Sequence, residues 1–174
     1  MTPDQPTARR IAKAAWELCE AEDWHGAVRL FEEAVPLLDD AHWSTQEILG
    51  EYALALSRVG RLKEQVVALT DALNSAIRVD GPLALPAAIA RHFLIEALFR
   101  QDRIAEAKHV LAGWPDKIPE GRWLLNFTAA MLALAEHDQV EFEKRCDKVW
   151  ETAPNGKWET IDDLKAAIRA EMRT

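Results

Sequence analysis

One pattern recurs along this chain of 174 residues and limits the folds that are open to it. The clearest copy is EDWHGAVRLFEEA, residues 22–34, in which small and large apolar residues alternate at helical spacing. Further copies begin at Gly60, Asp102 and Asp138, so the pattern returns after 38, 42 and 36 residues. A period of this size between helical segments is typical of a solenoid built from stacked helical hairpins.

The alternation within the clearest copy has a physical reason. Two packed helices lie about 8 to 10 Å apart, and the small side chains of Ala27 and Ala34 permit that approach. Phe31, between them in the sequence, is expected to fill the space between neighbouring helices. We expect Phe31→Ala to lower the free energy of unfolding by about 3 to 5 kcal/mol. Ala27→Glu should be similarly harmful, because it overpacks the contact and buries a charge.

Helical periodicity extends over nearly the whole chain, and alternating segments typical of strands are not found in the sequence. Turn signals divide the chain into segments of about 15 residues. We predict a flexible N-terminus over residues 1–7 and a single all-α domain over residues 8–174. The predicted parts of this domain are four hairpins and a capping helix, at residues 8–42, 44–79, 83–115, 120–153 and 160–173.

Polar residues mark several expected helix ends. Thr7 can cap the first helix, because its hydroxyl can accept a hydrogen bond from a backbone N–H of the first turn. Ser44-Thr-Gln-Glu47 has the form of a capping box, and Thr160 with Asp163 marks the start of the last helix. The expected turns and loops are Asp80-Gly81-Pro82, PDKIPEG at 115–121 and Asn155-Gly156.

The hairpins resemble the tetratricopeptide repeat family, whose ideal period is about 34 residues. Second helices of that family carry a small residue, a large residue four later and a small residue three later, as Ala27, Phe31 and Ala34 do. First helices carry large and small residues that receive the second helix. The matching residues are Ile11, Ala14, Ala15 and Leu18 in the first hairpin and Leu49, Tyr52, Ala53 and Leu56 in the second.

The resemblance covers about residues 8–153 and weakens along the chain. The third hairpin places Arg91 where a large apolar residue is expected, and the fourth places Glu143 at the position of Ala27. The resemblance implies a right-handed α-solenoid of about four hairpins. The last helix has one apolar face and would cap the final hairpin, or alternatively dock a partner. Its apolar face comprises Ile161, Leu164, Ala167 and Ile168.

The resemblance also implies where a partner would bind. In this family the first helices line the concave face, and particular positions of each helix point inward. Carried onto this sequence, the candidate partner-binding residues are Arg9, Trp16, Glu47, Leu54, His92, Glu96, Phe99 and Thr128. The mixed apolar and charged character of this set suits an extended or helical peptide. Packing between repeats is the alternative role for Trp16, His92 and Phe99.

Seven tryptophans are unusually many for a chain of this length. Trp24 holds a packing position of the repeat and is expected in the core. Trp43, Trp114 and Trp158 fall at expected helix ends or in loops. Such residues either anchor a partner, because they bury a large area, or plug the ends of helical hairpins.

Composition excludes several classes of function. The formal net charge is −8, and no basic stripe is available to neutralise phosphates, so nucleic-acid binding is not expected. No apolar run reaches the length needed to span a bilayer, and the N-terminus MTPDQPT lacks a hydrophobic signal core. Cys19 and Cys146 are expected to be free thiols in a reducing cytoplasm.

Candidate catalytic groups are few. His92 with Glu96, and His137 with Glu141, each set an imidazole and a carboxylate at helical spacing, but a metal needs a third ligand. Neither cysteine lies in a local nucleophile signature, and no glycine-rich phosphate loop is found. We therefore predict no enzyme activity, no cofactor and no metal.

Three functions remain open from the sequence. The first is a cytoplasmic scaffold or adaptor that binds a peptide or protein segment on its concave face. The second is a small acidic secretion-type chaperone or a toxin-neutralising partner protein. The third is a self-assembling structural subunit, in which the apolar stretches LALPAAIA and RWLLNFTAAMLALA would form a homodimer interface.

Overall fold

The structure, a computed structural model, describes residues 2–115, 121–154 and 156–172. Within these ranges the chain forms nine α-helices, one short 3-10 helix at Val35–Leu37 and no strand, which confirms the predicted all-α fold class. The helices are α1 Gln5–Glu20, α2 Trp24–Ala34, α3 Thr45–Arg58, α4 Leu62–Asp80, α5 Leu85–Arg100, α6 Ile104–Ala112, α7 Arg122–Ala135, α8 Gln139–Thr152 and α9 Ile161–Glu171.

The chain divides into two compact units, Met1–Pro82 and Leu83–Thr174, where the sequence predicted a single domain. The first unit contains the hairpins α1–α2 and α3–α4, which stack on each other through α2 and α3. The second contains the hairpins α5–α6 and α7–α8, which stack through contacts of α7 with α5 and α6, and the last helix α9. Each unit therefore has the stacked hairpins of a helical solenoid.

One turn geometry joins the two helices of all four hairpins. Glu22, Gly60, Asp102 and His137 have positive φ angles of 60°, 77°, 58° and 59°. The N–H of each of these residues donates to the carbonyl three residues earlier, and the following N–H donates to the carbonyl five residues earlier. This pair of hydrogen bonds is the Schellman motif, which satisfies the last carbonyls of the preceding helix. The repeat seen in the sequence is thus a repeat of backbone geometry.

The turn moves the fourth copy of the pattern by one residue. Its positive-φ residue is His137, whereas the sequence pattern began at Asp138. The prediction that Glu143 corresponds to Ala27 was therefore wrong, and Phe142 holds that position. Glu143 instead lies partly exposed and forms an ion pair with Lys165.

The corrected register explains why the fourth hairpin matched poorly. Phe142, Cys146 and Val149 are all fully buried in the second unit. They stand where Ala27, Phe31 and Ala34 stand in the first hairpin. The large residue is now first, Phe142 in the place of Ala27, and the smaller one second, Cys146 in the place of Phe31. The spacing of the buried residues is the same, and a large side chain still fills the space between the helices.

The N-terminal segment is helical from Gln5 onward, and the prediction of a flexible segment over 1–7 was wrong for these residues. Asp4 caps α1, because its carboxylate accepts a hydrogen bond of 3.2 Å from the backbone N–H of Thr7. Thr7, the predicted cap, therefore lies inside the helix. Pro6 suits the first turn, where its missing N–H costs no hydrogen bond.

The capping box predicted at Ser44 is not formed. The Ser44 hydroxyl makes no cap hydrogen bond. It accepts from the side-chain amide of Gln5 at 2.9 Å and lies 2.9 Å from Nδ1 of His42. At the start of α9 the corresponding prediction is confirmed, since Thr160 and Asp163 form a reciprocal capping box.

The last helix covers the final hairpin, as predicted. Leu164 and Ile168 of α9 are fully buried against a cluster that includes Phe142, Cys146 and Met131. The apolar face of α9 is thus used within the second unit.

Two predicted loops fall partly outside the described residues, namely 116–120 of PDKIPEG and residue 155 of the Asn155-Gly156 turn. None of the helices in the described parts of the chain combines the length and the apolar character needed to cross a bilayer.

Candidate functional site

An open cleft of about 210 Å³ lies in the first unit, between α1 and the start of α3. Phe31 of α2 lies at its base, and this side chain is only 1% exposed. The walls comprise Arg9, Ala12, Lys13 and Trp16 from α1, and Trp43, Ser44, Glu47, Ile48 and Glu51 from the end of the preceding loop and α3.

A buried glutamine fixes one end of this cleft. The side-chain amide nitrogen of Gln5 donates to the hydroxyl of Ser44, and its oxygen accepts from the backbone N–H of Asp39 at 2.7 Å. Thr45 donates its hydroxyl hydrogen to the Asp39 carbonyl at 2.6 Å. These contacts hold the first turn of α1 against the first turn of α3. The two helices therefore run in the same direction from this end.

Two tryptophans stand half exposed in the cleft. Trp16 is 47% exposed and Trp43 is 51% exposed. The guanidinium of Arg9 lies over the ring of Trp43, 5.3 Å from its centroid. In the described part of the chain Trp16 has neither a ring nor a cation against it. The ring of Trp43 is thus already in contact with Arg9, whereas the ring of Trp16 lines the cleft without such a contact.

The two walls carry opposite charges. Arg9 and Lys13 lie on α1, and Glu47 and Glu51 lie on α3. Within the described residues, none of these four forms an ion pair. Burial, followed by repulsion from Glu47, raises the pKa of the Glu51 carboxyl. The cleft thus contains charged groups that the chain itself leaves uncompensated.

The predicted partner-binding residues of the first unit are on its surface. Arg9, Trp16 and Glu47 all line the cleft. Leu54 is 42% exposed, on the same helix as Glu47, but it lies beyond the cleft. The structure therefore brings three of these four predicted residues together.

The predicted residues of the second unit lie largely inside it. Thr128 is fully buried, and Glu96 is 6% exposed and forms an ion pair with Arg100. His92 and Phe99 are partly buried.

His92 and Thr128 are joined by a hydrogen bond whose direction can be assigned. The Thr128 hydroxyl donates to the Leu124 carbonyl at 2.8 Å, so it must accept from His92 Nδ1, which lies 2.8 Å away. Burial, followed by the positive charge of Arg100, lowers the pKa of His92 to about 4. The ring is neutral at pH 7 and its Nδ1 is used internally.

Sequence reasoning missed Trp43, Lys13 and Glu51 as members of the cleft. The sequence leaves Trp43, Trp114 and Trp158 open as either partner anchors or plugs of the hairpin ends. The structure separates them, because Trp114 is only 4% exposed. Trp158 is stacked on Phe127, with ring centroids 6.0 Å apart and planes 10° apart. Of these three tryptophans, only Trp43 is more than half exposed.

A second depression of the first unit, of about 320 Å³, is less suited to binding. It lies near the helix turns and is lined by His25, Arg29, Glu32 and Arg61, among others. The carboxylate in its lining is already paired, since Arg61 forms an ion pair with Glu32 at 2.6 Å, and Arg61 also pairs with Glu64. Its lining also contains no Trp, Tyr or Phe side chain. The cleft between α1 and α3, although smaller, is therefore the better candidate for a binding site.

Candidate chemical groups are poorly placed for catalysis. Among the described residues, no three His, Cys, Asp or Glu side chains are grouped so that they could hold a metal. Burial is the main cause that raises the pKa of Cys19, and that of Cys146 to about 11, so both thiols are protonated at neutral pH. His137 lies in the turn before α8, so its predicted pairing with Glu141 on one helix face was wrong.

Comparisons with known proteins bear on the fold alone. No family model matches the chain, and no curated protein sequence matches it. Among solved structures, the chain is similar to BtubC (BKLC) from P. vanneervenii, with a TM-score of 0.68 and 15% sequence identity. The match covers 88% of this chain and 68% of that protein. At this identity the likeness supports the helical fold and says nothing of a ligand or a partner.

Proposed function

We propose that this chain is a non-enzymatic protein-interaction module of the tetratricopeptide type, which binds a peptide or protein segment in the cleft between α1 and α3. The observation that carries the proposal is the pair of half-exposed tryptophans, Trp16 and Trp43, among charges that the chain leaves unpaired. Tryptophan is among the residues that most often supply the binding energy of protein interfaces.

The dimensions of the cleft favour a protein segment over a small molecule. Pockets that enclose drug-sized ligands have volumes of roughly 300 to 1,000 Å³. This cleft, at about 210 Å³, is smaller and open, and it accommodates one or two side chains of a longer partner. The hydrogen bonds of Gln5 hold its walls before a partner arrives, so little order has to be created on binding.

The proposal extends to the class of partner and to the cellular compartment. A net charge of −8 favours basic protein partners and disfavours nucleic acid. Both cysteines are free and buried, and this agrees with a reducing compartment such as the cytoplasm.

The proposal is tested by selecting peptides that bind the full chain from a displayed library of random linear sequences. Synthetic copies of the selected peptides are then titrated against wild type and Trp16→Ala. We expect Trp16→Ala to bind about 10- to 100-fold more weakly, because a hot-spot tryptophan is lost. Trp150→Ala is the matched control, since Trp150 is 44% exposed on α8, in the other unit.

Circular dichroism of both variants shows whether each remains folded. If every selected peptide bound Trp16→Ala as tightly as wild type, the cleft would not be the binding site and the proposal would be rejected.

Self-association is a second candidate, favoured by a different surface. Leu85, Ile89 and Phe93 lie on successive turns of α5 and are 37%, 41% and 48% exposed. An apolar stripe of this kind on a helix is typical of an interface. Sedimentation equilibrium of the wild type and of Ile89→Glu tests the idea. A dimer that Ile89→Glu dissociates, and that Val67→Glu on α4 leaves intact, would support it, and a monomeric wild type would exclude it.

A further inference from the structure

The acidic wall of the cleft lacks a positive partner. Glu47 and Glu51 are separated by one helical turn on α3, so their carboxylates repel each other. Neither forms an ion pair with any described residue. Glu51 is partly buried, and its raised pKa reflects that burial together with the charge of Glu47. A cation placed between the two carboxylates would weaken their mutual repulsion and would stabilise the charged form of the partly buried Glu51.

The cations already in the cleft do not fill this role. The Arg9 guanidinium is placed over the Trp43 ring, near the N-terminal ends of α1 and α3. Lys13 is exposed on the opposite wall and pairs with neither carboxylate. Trp16 lies two turns beyond Arg9 along α1, and Glu51 lies two turns beyond Ser44, the N-cap residue of α3. Because the two helices run in the same direction, the open indole lies at the Glu51 end of the cleft, and Glu47 lies one helical turn nearer to Arg9 on the same wall.

Resting on the proposed function, we propose that the partner inserts an arginine side chain into this end of the cleft. Its guanidinium would lie on the ring of Trp16 and donate hydrogen bonds to Glu47 and Glu51. The partner is therefore a protein segment with an exposed arginine, and the net charge of −8 favours its approach.

Arginine fits the arrangement better than lysine. The guanidinium is planar, so it can stack on an indole while its edge donates to carboxylates. It presents five N–H donors in a fixed fork, which two separate carboxylates can share. The ammonium of lysine is a strongly hydrated point charge and lacks a flat face. The volume of about 210 Å³ also suits one long side chain and its immediate neighbours.

The test extends the peptide selection with a change in the protein and a change in the peptide. Selected peptides are titrated against the full-length Glu47→Gln/Glu51→Gln variant, which keeps the shape of both side chains and removes their charges. The matched control is Asp147→Asn/Glu151→Gln, which removes two carboxylates at the same spacing on α8. In parallel, each arginine of the peptide is replaced by citrulline, a neutral side chain of nearly the same shape.

We expect the selected peptides to share an arginine. Affinity should fall about 10- to 100-fold when that arginine becomes citrulline or when Glu47 and Glu51 become Gln, since charge-assisted hydrogen bonds are lost. When the citrulline peptide is titrated against the Glu47→Gln/Glu51→Gln variant, affinity should fall by about as much as with either change alone, because both changes remove the same contact. The control variant should bind as wild type does.

Other outcomes separate this inference from the proposed function. Peptides that require Trp16 but contain no arginine, or bind equally after citrulline replacement, would overturn the arginine assignment and leave the binding cleft in place. Peptides that bind independently of Trp16 would overturn both. Equal weakening by the two double variants would show a general effect of net charge and would also refute a specific site at Glu47 and Glu51.

Discussion

The side-chain amide of Gln5 lies 2.9 Å from the hydroxyl of Ser44, although 39 residues separate them in the sequence. Gln5 is 8% exposed, and its other amide atom accepts from the backbone of Asp39. This one buried side chain therefore joins the first turn of α1 to the segment that leads into α3. The relative position of Trp43 and Arg9 depends on that connection.

Gln5→Leu should lower the free energy of unfolding by about 1 to 3 kcal/mol, because the backbone N–H of Asp39 loses its acceptor and the Ser44 hydroxyl loses one of its two partners. Urea denaturation followed by circular dichroism measures the change. Gln139→Leu is the control, since Gln139 is exposed on α8, and its effect should stay within about 0.5 kcal/mol. Equal effects of the two changes would show that the Gln5 network contributes no stability.

The hairpins could be predicted from the sequence because their signals are local. The turn at Glu22 and the apolar residues after it lie within one short segment, and the same holds for Gly60 and Asp102. The fourth turn is just as regular in the backbone, but large Phe142 and small Cys146 reverse the size order. A pattern that weighs side-chain size therefore misplaces this hairpin by one residue.

The site was predictable only in part, for a different reason. Arg9, Trp16 and Glu47 could be named because the resemblance to the tetratricopeptide repeat family assigns their positions to the concave face. Trp43 could not be placed beside Arg9, because their approach depends on long-range contacts of Gln5. Long-range contacts of this kind leave no local pattern in the sequence.

The second unit shows a further limit of sequence reasoning. Helix α5 is apolar on almost every side, so its few polar residues do not reveal which face points to water. Glu96 was predicted on a binding face, yet it is 6% exposed and pairs with Arg100. Arg91, which broke the repeat pattern in the sequence, is likewise buried, at 5% exposure.

The corrected register of the fourth hairpin can be tested with two adjacent residues. Phe142→Ala should lower the free energy of unfolding by about 3 to 5 kcal/mol, because its ring is fully buried against α9 and α7. Glu143→Ala removes a partly exposed ion pair with Lys165 and should cost about 1 kcal/mol or less. Thermal or urea unfolding of both variants decides the register, and the reverse order of effects would restore the original alignment.

Gly50 lies in the interior of α3, between the cleft residues Ile48 and Glu51 in the sequence, and no packing reason requires a glycine there. A Cβ at this position would meet no atom within 4 Å. Gly50→Ala should therefore raise the free energy of unfolding by about 0.5 to 1 kcal/mol. Gly60→Ala is the contrasting change, because Gly60 has a φ of +77° and an alanine there would be strained.

The two glycine variants should thus shift the melting temperature in opposite directions. A loss of stability in Gly50→Ala would mean that the space above this position is filled in solution. Gly50 adjoins the cleft residue Glu51 in the sequence, so the affinity of selected peptides for Gly50→Ala also reports whether a bound segment crosses α3 at this point.

Two buried groups of α5 give the second unit opposing dependences on pH. Burial, as the main cause, raises the pKa of Glu96 from 4.5 to about 7, with Glu171 of α9 acting in the same direction and Arg100 against it. Between these values the native state holds a proton that the unfolded chain has lost, so stability falls as pH rises. His92 has a pKa lowered from 6.5 to about 4, so its contribution rises with pH between these values.

Comparing single variants separates the two contributions, which oppose each other where their ranges overlap. The unfolding free energy of Glu96→Gln minus that of wild type should increase as pH rises from 4.5 to about 7, because only in the wild type does the unfolded chain release a proton that the native state retains. For His92→Gln the same difference should decrease as pH rises from about 4 to 6.5. Urea denaturation at intervals of pH across this range measures both differences.

Glu106→Gln is the control, since this exposed carboxyl has its pKa lowered by a hydrogen bond from Arg103. The difference between Glu106→Gln and wild type should not increase with pH as it does for Glu96→Gln. A difference for Glu96→Gln that did not vary with pH would show that this carboxyl titrates as it does in water, and that the contact between α5 and α9 is not coupled to a proton.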